Sequence, residues 1–173
     1  DQDEDAEIPQ PGATDQAIIA PNGATFDRDK GILPGLLERF FSSRDLAKSE
    51  GDQLASYAYK IVMNSFYGVL ATGSCRFAEE QLAGAITGFG HYVLKWVRQR
   101  LEEAKGADVL YGDTDSLFID MHLPNDIAVE DALAQGDQLC RWMNDELTAH
   151  VRDCFGLPSN LELEFEKYYT RFF

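Results

Sequence analysis

Apolar residues recur along this chain at two periods, three to four residues in some stretches and two in others, and the changes of period mark out its elements. Over residues 33–50, Leu36, Leu37, Phe40, Phe41 and Leu46 fall at helical spacing, with Pro34 tolerated in the first turn and Gly51 as a stop. Over residues 52–70, Leu54, Tyr57, Ala58, Ile61, Val62 and Phe66 repeat at the same period behind Asp52, a good N-cap. A third helix is predicted over 79–105 from Leu82, Ile86, Phe89, Val93, Leu94, Val97 and Leu101, ending at Gly106. Residues 108–110 and 117–121 are short and β-rich on either side of YGDTDS (residues 111–116), which reads as a hairpin. Residues 127–155 return to helical spacing between Pro124-Asn125-Asp126 and Gly156-Leu157-Pro158. LELEFEKYYTRFF then alternates, Leu161, Leu163 and Phe165 against Glu162, Glu164 and Glu166, and predicts a strand. Helices leading into a hairpin, then a helix and a strand, give an α+β arrangement.

Composition changes this picture at the N-terminus. Residues 1–25 hold six acids, no bases, three prolines and two glycines, the make-up of a surface loop, and residues 1–31 are read as an acidic linker or insertion loop. The 173 residues and 45% hydrophobic content suit a globular domain. A formal charge of −15 argues against binding a polyanion by bulk attraction, so any phosphate contact must be local. No apolar run approaches the ~20 residues of a membrane span, and the acidic start is the opposite of a signal peptide, so a soluble chain is expected. Cys75, Cys140 and Cys154 form no CxxC pair and leave one thiol over, which favours a reducing compartment.

Three constellations can carry chemistry. Asp113 and Asp115 in YGDTDS supply hard oxygen donors that suit Mg²⁺, although Asp is also an ordinary turn residue. A calcium EF-hand is excluded, because its third ligand position falls on Leu117 and its glycine position on Phe118. Lys60, Asn64 and Tyr67, at i, i+4 and i+7, share one helix stripe beside Gly68: a phosphate-binding stripe or a solvated face. Arg44 and Lys48, at i and i+4, form either a triphosphate clamp or a surface pair balanced by Asp45 and Glu50. Their joint content is what a nucleoside triphosphate with Mg²⁺ requires.

KIVMNSFYG, residues 60–68, resembles the K-x3-N-S-x-Y-G fingers motif of family B DNA polymerases, and YGDTDS resembles that family's palm motif. Cys75-Arg76-Phe77 and AITGFGH fit the connecting segment, and the likeness, closest in flavour to bacterial members, covers roughly residues 24–173. It implies a helical fingers hairpin at 32–72, then part of an antiparallel palm sheet with packed helices at 73–173, including a metal-binding hairpin at 108–121. Arg44, Lys48, Lys60 and Asn64 match triphosphate contacts, Ser65 and Thr114 lie among the nucleotide-binding positions, and Tyr67 and Gly68 match residues lining the nascent base pair. Asp115 matches the catalytic metal-binding aspartate, Asp113 the acid beside it, and Glu166 an accessory palm carboxylate.

The resemblance implies a DNA-directed DNA polymerase that joins dNTPs to a primer 3′-hydroxyl between two Mg²⁺ ions, with Lys60 protonating pyrophosphate. Primer–template DNA and dNTP are the implied partners, with a sliding clamp in the full-length protein and a bacterial, nucleoid-associated cytoplasmic setting. The family's D-x2-S-L-Y-P and K-K-R-Y stretches have no match here, nor do its exonuclease and thumb, so the chain is expected to be a piece that does not polymerise alone. Two rival readings stand: a degenerate polymerase module that scaffolds partners, and a metal-dependent glycosyltransferase, which calls for a βαβ lead-in before the acids.

Overall fold

Asp52 starts a helix in the expected way, its carboxylate accepting the Ala55 N–H at 2.9 Å. The computed structural model describes residues 10–29, 31–76, 78–113 and 115–171, without the Asp113 side chain. It forms an α+β fold with α1 at Ile32–Ser49 and α2 at Gln53–Ala71, joined at Gly51, whose φ of 76° is the left-handed turn that glycine accepts freely. Phe40 of α1 packs its ring 6.2 Å from Tyr59 and 6.0 Å from Phe66 of α2. This corrects the predicted stripe. Leu54, Tyr57 and Ile61 are 79, 62 and 49% exposed, whereas Tyr59, Met63 and Phe66 are half-buried and Leu70 is buried. Because α2 is apolar around most of its circumference, periodicity alone does not select the face that meets α1.

The acidic lead-in is not all loop. Residues 12–27 form a small antiparallel sheet, β1 Gly12–Ala13, β2 Ala17–Ile19 and β3 Thr25–Asp27, in the order β1-β2-β3. The Pro and Gly residues that suggested a linker punctuate these strands, and Ile18 and Ala20 are buried. After β2, the Asn22 amide donates to the Gln81 carbonyl at 2.8 Å, and Pro21 lies where a Cβ on Gly88 would touch it at 3.4 Å.

The third helix, α3, runs Glu80–Lys105, and the chain divides within it into two compact units, one ending at Phe89 and the other beginning at Gly90. In the second unit, β4 (Asp108–Asp113) pairs antiparallel with β5 (Ser116–Asp120), and α4 spans Val129–Phe155. Val97, Leu101 and Met143 are its buried core, walled by Val109, Leu117, Ile119, Leu139 and Leu163. Gly106 and Gly156, at φ 62° and 64°, follow α3 and α4 in the left-handed conformation expected of helix stops. Arg100 and Glu146 pair at 2.6 Å, and the Lys105 ammonium sits 4.2 Å from the Trp142 ring centre.

The predicted LELEF strand is a second correction, because residues 158–169 form no ladder with any described strand. Their backbone is held by a side chain instead. The Asn144 amide donates to the Leu163 carbonyl at 2.9 Å, its oxygen accepts the Leu163 N–H at 2.8 Å, and Cys140 Sγ donates to the same carbonyl at 3.1 Å. The alternation itself persists: Leu163 and Phe165 are half-buried, and Glu162, Glu164 and Glu166 are exposed. Phe165 lies on Gly136, where a Cβ would come within 2.6 Å of the ring.

Candidate active site

Within the first unit, three cations line one cleft. Arg44 and Lys48, a turn apart on α1, and Lys60 on α2 face a space of about 480 Å³, together with Gly51, Gln53, Ser56 and Tyr57. No acid is among these lining residues, in a chain carrying −15 overall. Arg44 Nε is buried without a hydrogen-bond partner among the described residues. Three cationic side chains facing one space with no acid among them are a donor set that fits phosphate.

Further along α2, Asn64, Tyr67 and Gly68 are exposed, and a Cβ at Gly68 would meet nothing within 4 Å. Ser65 is exposed too, but its hydroxyl donates back to the Val62 carbonyl at 2.7 Å, leaving its oxygen as an acceptor.

The acidic hairpin belongs to the second unit. Its strands extend further into YGDTDS than predicted, with Asp113 opposite Ser116 and Asp115 in the turn between them. Thr114 and the Asp113 side chain lie outside the described residues. A register shift between Val109 and Tyr111 is a β-bulge at Leu110, a device that re-aims the residues beyond it. Gly112 is close-packed, since a Cβ there would lie 3.3 Å from Leu117 Cδ2. Asp115 is exposed and accepts from the Ser116 hydroxyl at 3.3 Å.

Asp115 and Glu166 both line an open cleft of about 890 Å³ bounded by β5, the start of α4 and residues 162–171. Among the described residues, no group of three or more His, Cys, Asp or Glu side chains converges to hold a metal. One exposed carboxylate at a turn fits a hard cation that completes its shell with water and substrate oxygens, which is the habit of Mg²⁺.

At the other end of the hairpin, Asp108 stands opposite Asp120 in register, a like-charge pair that is unfavourable by itself. His122, at φ 53°, folds its ring between them, Nε2 3.2 Å from Asp108 and Nδ1 3.6 Å from Asp120.

Sequence reasoning missed Gln53 and Ser56 in the cationic cleft, although their helical spacing from Lys60 was a usable signal. It also missed the Tyr92–His150–Trp96 cluster, with Tyr92 Oη 2.8 Å from His150 Nε2 and the imidazole stacked 4.1 Å from Trp96. Burial pushes His150 below the ordinary imidazole value, with Asp153 opposing, and burial followed by the Cys154 charge pushes Tyr92 upward.

This chain, with a helical hairpin presenting cations and a β-hairpin presenting acids, belongs to DNA polymerase family B, whose family model matches residues 1–173. Within that family it is similar to DNA polymerase II of Escherichia coli (strain K12), 41% identical over 149 residues that take in 86% of this chain and 18% of that one. The DNA polymerase delta catalytic subunit of Bos taurus is 30% identical over 180 residues, 90% of this chain and 15% of that one. The chain thus spans less than a fifth of the length of these relatives. The solved family B DNA polymerase from the hyperthermophilic archaeon Pyrobaculum calidifontis shares the fold at a TM-score of 0.56, with 23% identity over 79% of this chain and 18% of that one. The glycosyltransferase alternative fails on its lead-in: α3 precedes the hairpin, and every strand pair among the described residues is antiparallel. No helix among the described residues is long and apolar enough to cross a membrane.

Proposed function

We propose that this chain supplies the triphosphate-binding fingers and a carboxylate part of the palm in a DNA-directed DNA polymerase. Residues 32–72 are the fingers, residues 73–173 a partial palm, and residues 1–31 a lead-in. The observation that carries the reading is the acid-free cleft, where Arg44, Lys48 and Lys60 converge.

On this reading the three cations bind the triphosphate of an incoming dNTP and neutralise charge that develops on it. Asn64 and Ser65 add hydrogen bonds, and Thr114 contributes from the acidic turn. Lys60 Nζ donates a proton to the departing pyrophosphate. Tyr67 and Gly68 offer an open flat surface to the new base pair, with the Tyr67 ring at the sugar edge. Asp115, with Asp113, would hold divalent metal, and Glu166 is an accessory acid. Bound there, Mg²⁺ supplies activation of the primer hydroxyl and charge neutralisation at the phosphates. Primer–template DNA and dNTP are the substrates, and a sliding clamp and a nucleoid location extend the reading to the complete polymerase.

The test is single-turnover primer extension by the complete polymerase carrying Asp115→Asn. A fall in the rate of about 10²-fold or more is expected, as for loss of a preorganised charged group at the reacting centre. A rate equal to the unsubstituted enzyme would sink the assignment.

A further inference from the structure

Two neutral donors share the cationic cleft and have no part in the mechanism above. Gln53 and Ser56 lie on α2 on the Lys60 side of the helix, seven and four residues before it. At ~100° per residue, Gln53, Ser56, Lys60, Asn64 and Tyr67 fall within about 80° of one another, so one stripe runs the length of α2. At ~1.5 Å per residue, Ser56 lies about 6 Å and Gln53 about 10 Å from Lys60 toward the Gly51 loop, while Tyr67 lies about 10 Å away in the opposite direction.

This order gives the stripe a direction. The flat, open end at Tyr67 and Gly68 suits a base and sugar, Lys60 is central, and the loop end holds Lys48 and two uncharged donors with no acid among them. A triphosphate laid along the stripe therefore points its last phosphate at Gln53 and Ser56. The Gln53 amide has two N–H donors and the Ser56 hydroxyl one, suited to the outer oxygens of a terminal phosphate. Both side chains belong to residues that line the cleft itself.

We propose that Gln53 and Ser56 seat the terminal phosphate of the bound nucleotide, making the loop end of the α1–α2 hairpin the place where the length of the polyphosphate is read. The proposal rests on the cleft being the triphosphate site. It distinguishes nucleoside triphosphates from diphosphates by two donors that only the longer chain reaches.

The experiment measures dNTP affinity and inhibition by inorganic tripolyphosphate and by pyrophosphate in the complete polymerase, comparing a Gln53→Ala/Ser56→Ala double variant with Lys60→Ala. The double variant should weaken dNTP, tripolyphosphate and pyrophosphate alike by about tenfold, the loss of roughly one charge-assisted hydrogen bond, because pyrophosphate is the β,γ part of the triphosphate and carries the same terminal phosphate. Its loss of affinity should exceed its loss of kcat, a split that a purely structural defect would not give. If Lys60→Ala weakens tripolyphosphate and the double variant does not, the terminal-phosphate seat is wrong and the triphosphate cleft stands. If neither changes it, both are wrong.

Discussion

Asn144 holds Leu163 through both backbone groups, as a neighbouring strand would, but from a helix side chain. Its removal leaves the part-buried Leu163 N–H unpaired and its C=O with only the Cys140 thiol as a donor, so Asn144→Ala should cost about 1–3 kcal/mol in chemical denaturation. Gly136 is the second fixed point, because the Phe165 ring fills the space a Cβ would take. Gly136→Ala should destabilise by about 1–3 kcal/mol through overpacking, and Phe165→Leu in the same chain should restore part of the loss. Unchanged midpoints in either variant would show that residues 158–169 are held by other means. Neither residue was legible as a fixed point. Asn144 reads as one more polar position on an amphipathic helix, and Gly136 as a tolerated helix glycine, because both act on a segment about 20–30 positions away. Lys60 and Asp115, in contrast, sit inside motifs whose local spacing was enough to propose a chemistry for them.

Helix limits were legible at the level of elements because caps and stops are local. Asp52, Gly106 and Gly156 each do what their residue type favours. The contact face of α2 and the missing ladder of residues 158–169 were not, since both depend on what lies beside the element. The α3–α4 pair carries its own pH dependence through His150. Packed against Trp96 and Tyr92, its imidazole has a folded pKa below the ordinary 6.5. The unfolded chain therefore takes up this proton first as pH falls. Stability from neutral His150 is complete above about 6.5 and is lost on going down from there to the lowered folded value. Denaturation midpoints should decline from pH 7 toward pH 5, and His150→Phe, which keeps an aromatic ring in the stack, should flatten that decline. An identical decline in the variant would remove His150 as its source.

For the whole molecule, the charge of −15 gives the cationic cleft its meaning. Three positive side chains in such a chain, facing one space with no acid lining it, are a local exception to the overall field. The two compact units each hold one set of candidate residues, cations before Phe89 and acids after Gly90. The sequence order of the motifs was readable for that reason, while convergence of Arg44 and Lys48 with Lys60 required the α1–α2 hairpin. The most direct test of that convergence is pre-steady-state nucleotide incorporation by the complete polymerase, reading dNTP affinity separately from DNA affinity for Arg44→Ala, Lys48→Ala and Lys60→Ala. Each substitution should weaken dNTP binding by about tenfold or more, the loss of a charge-assisted contact, with DNA affinity nearly unmoved. Unchanged dNTP affinity in all three variants would contradict the account.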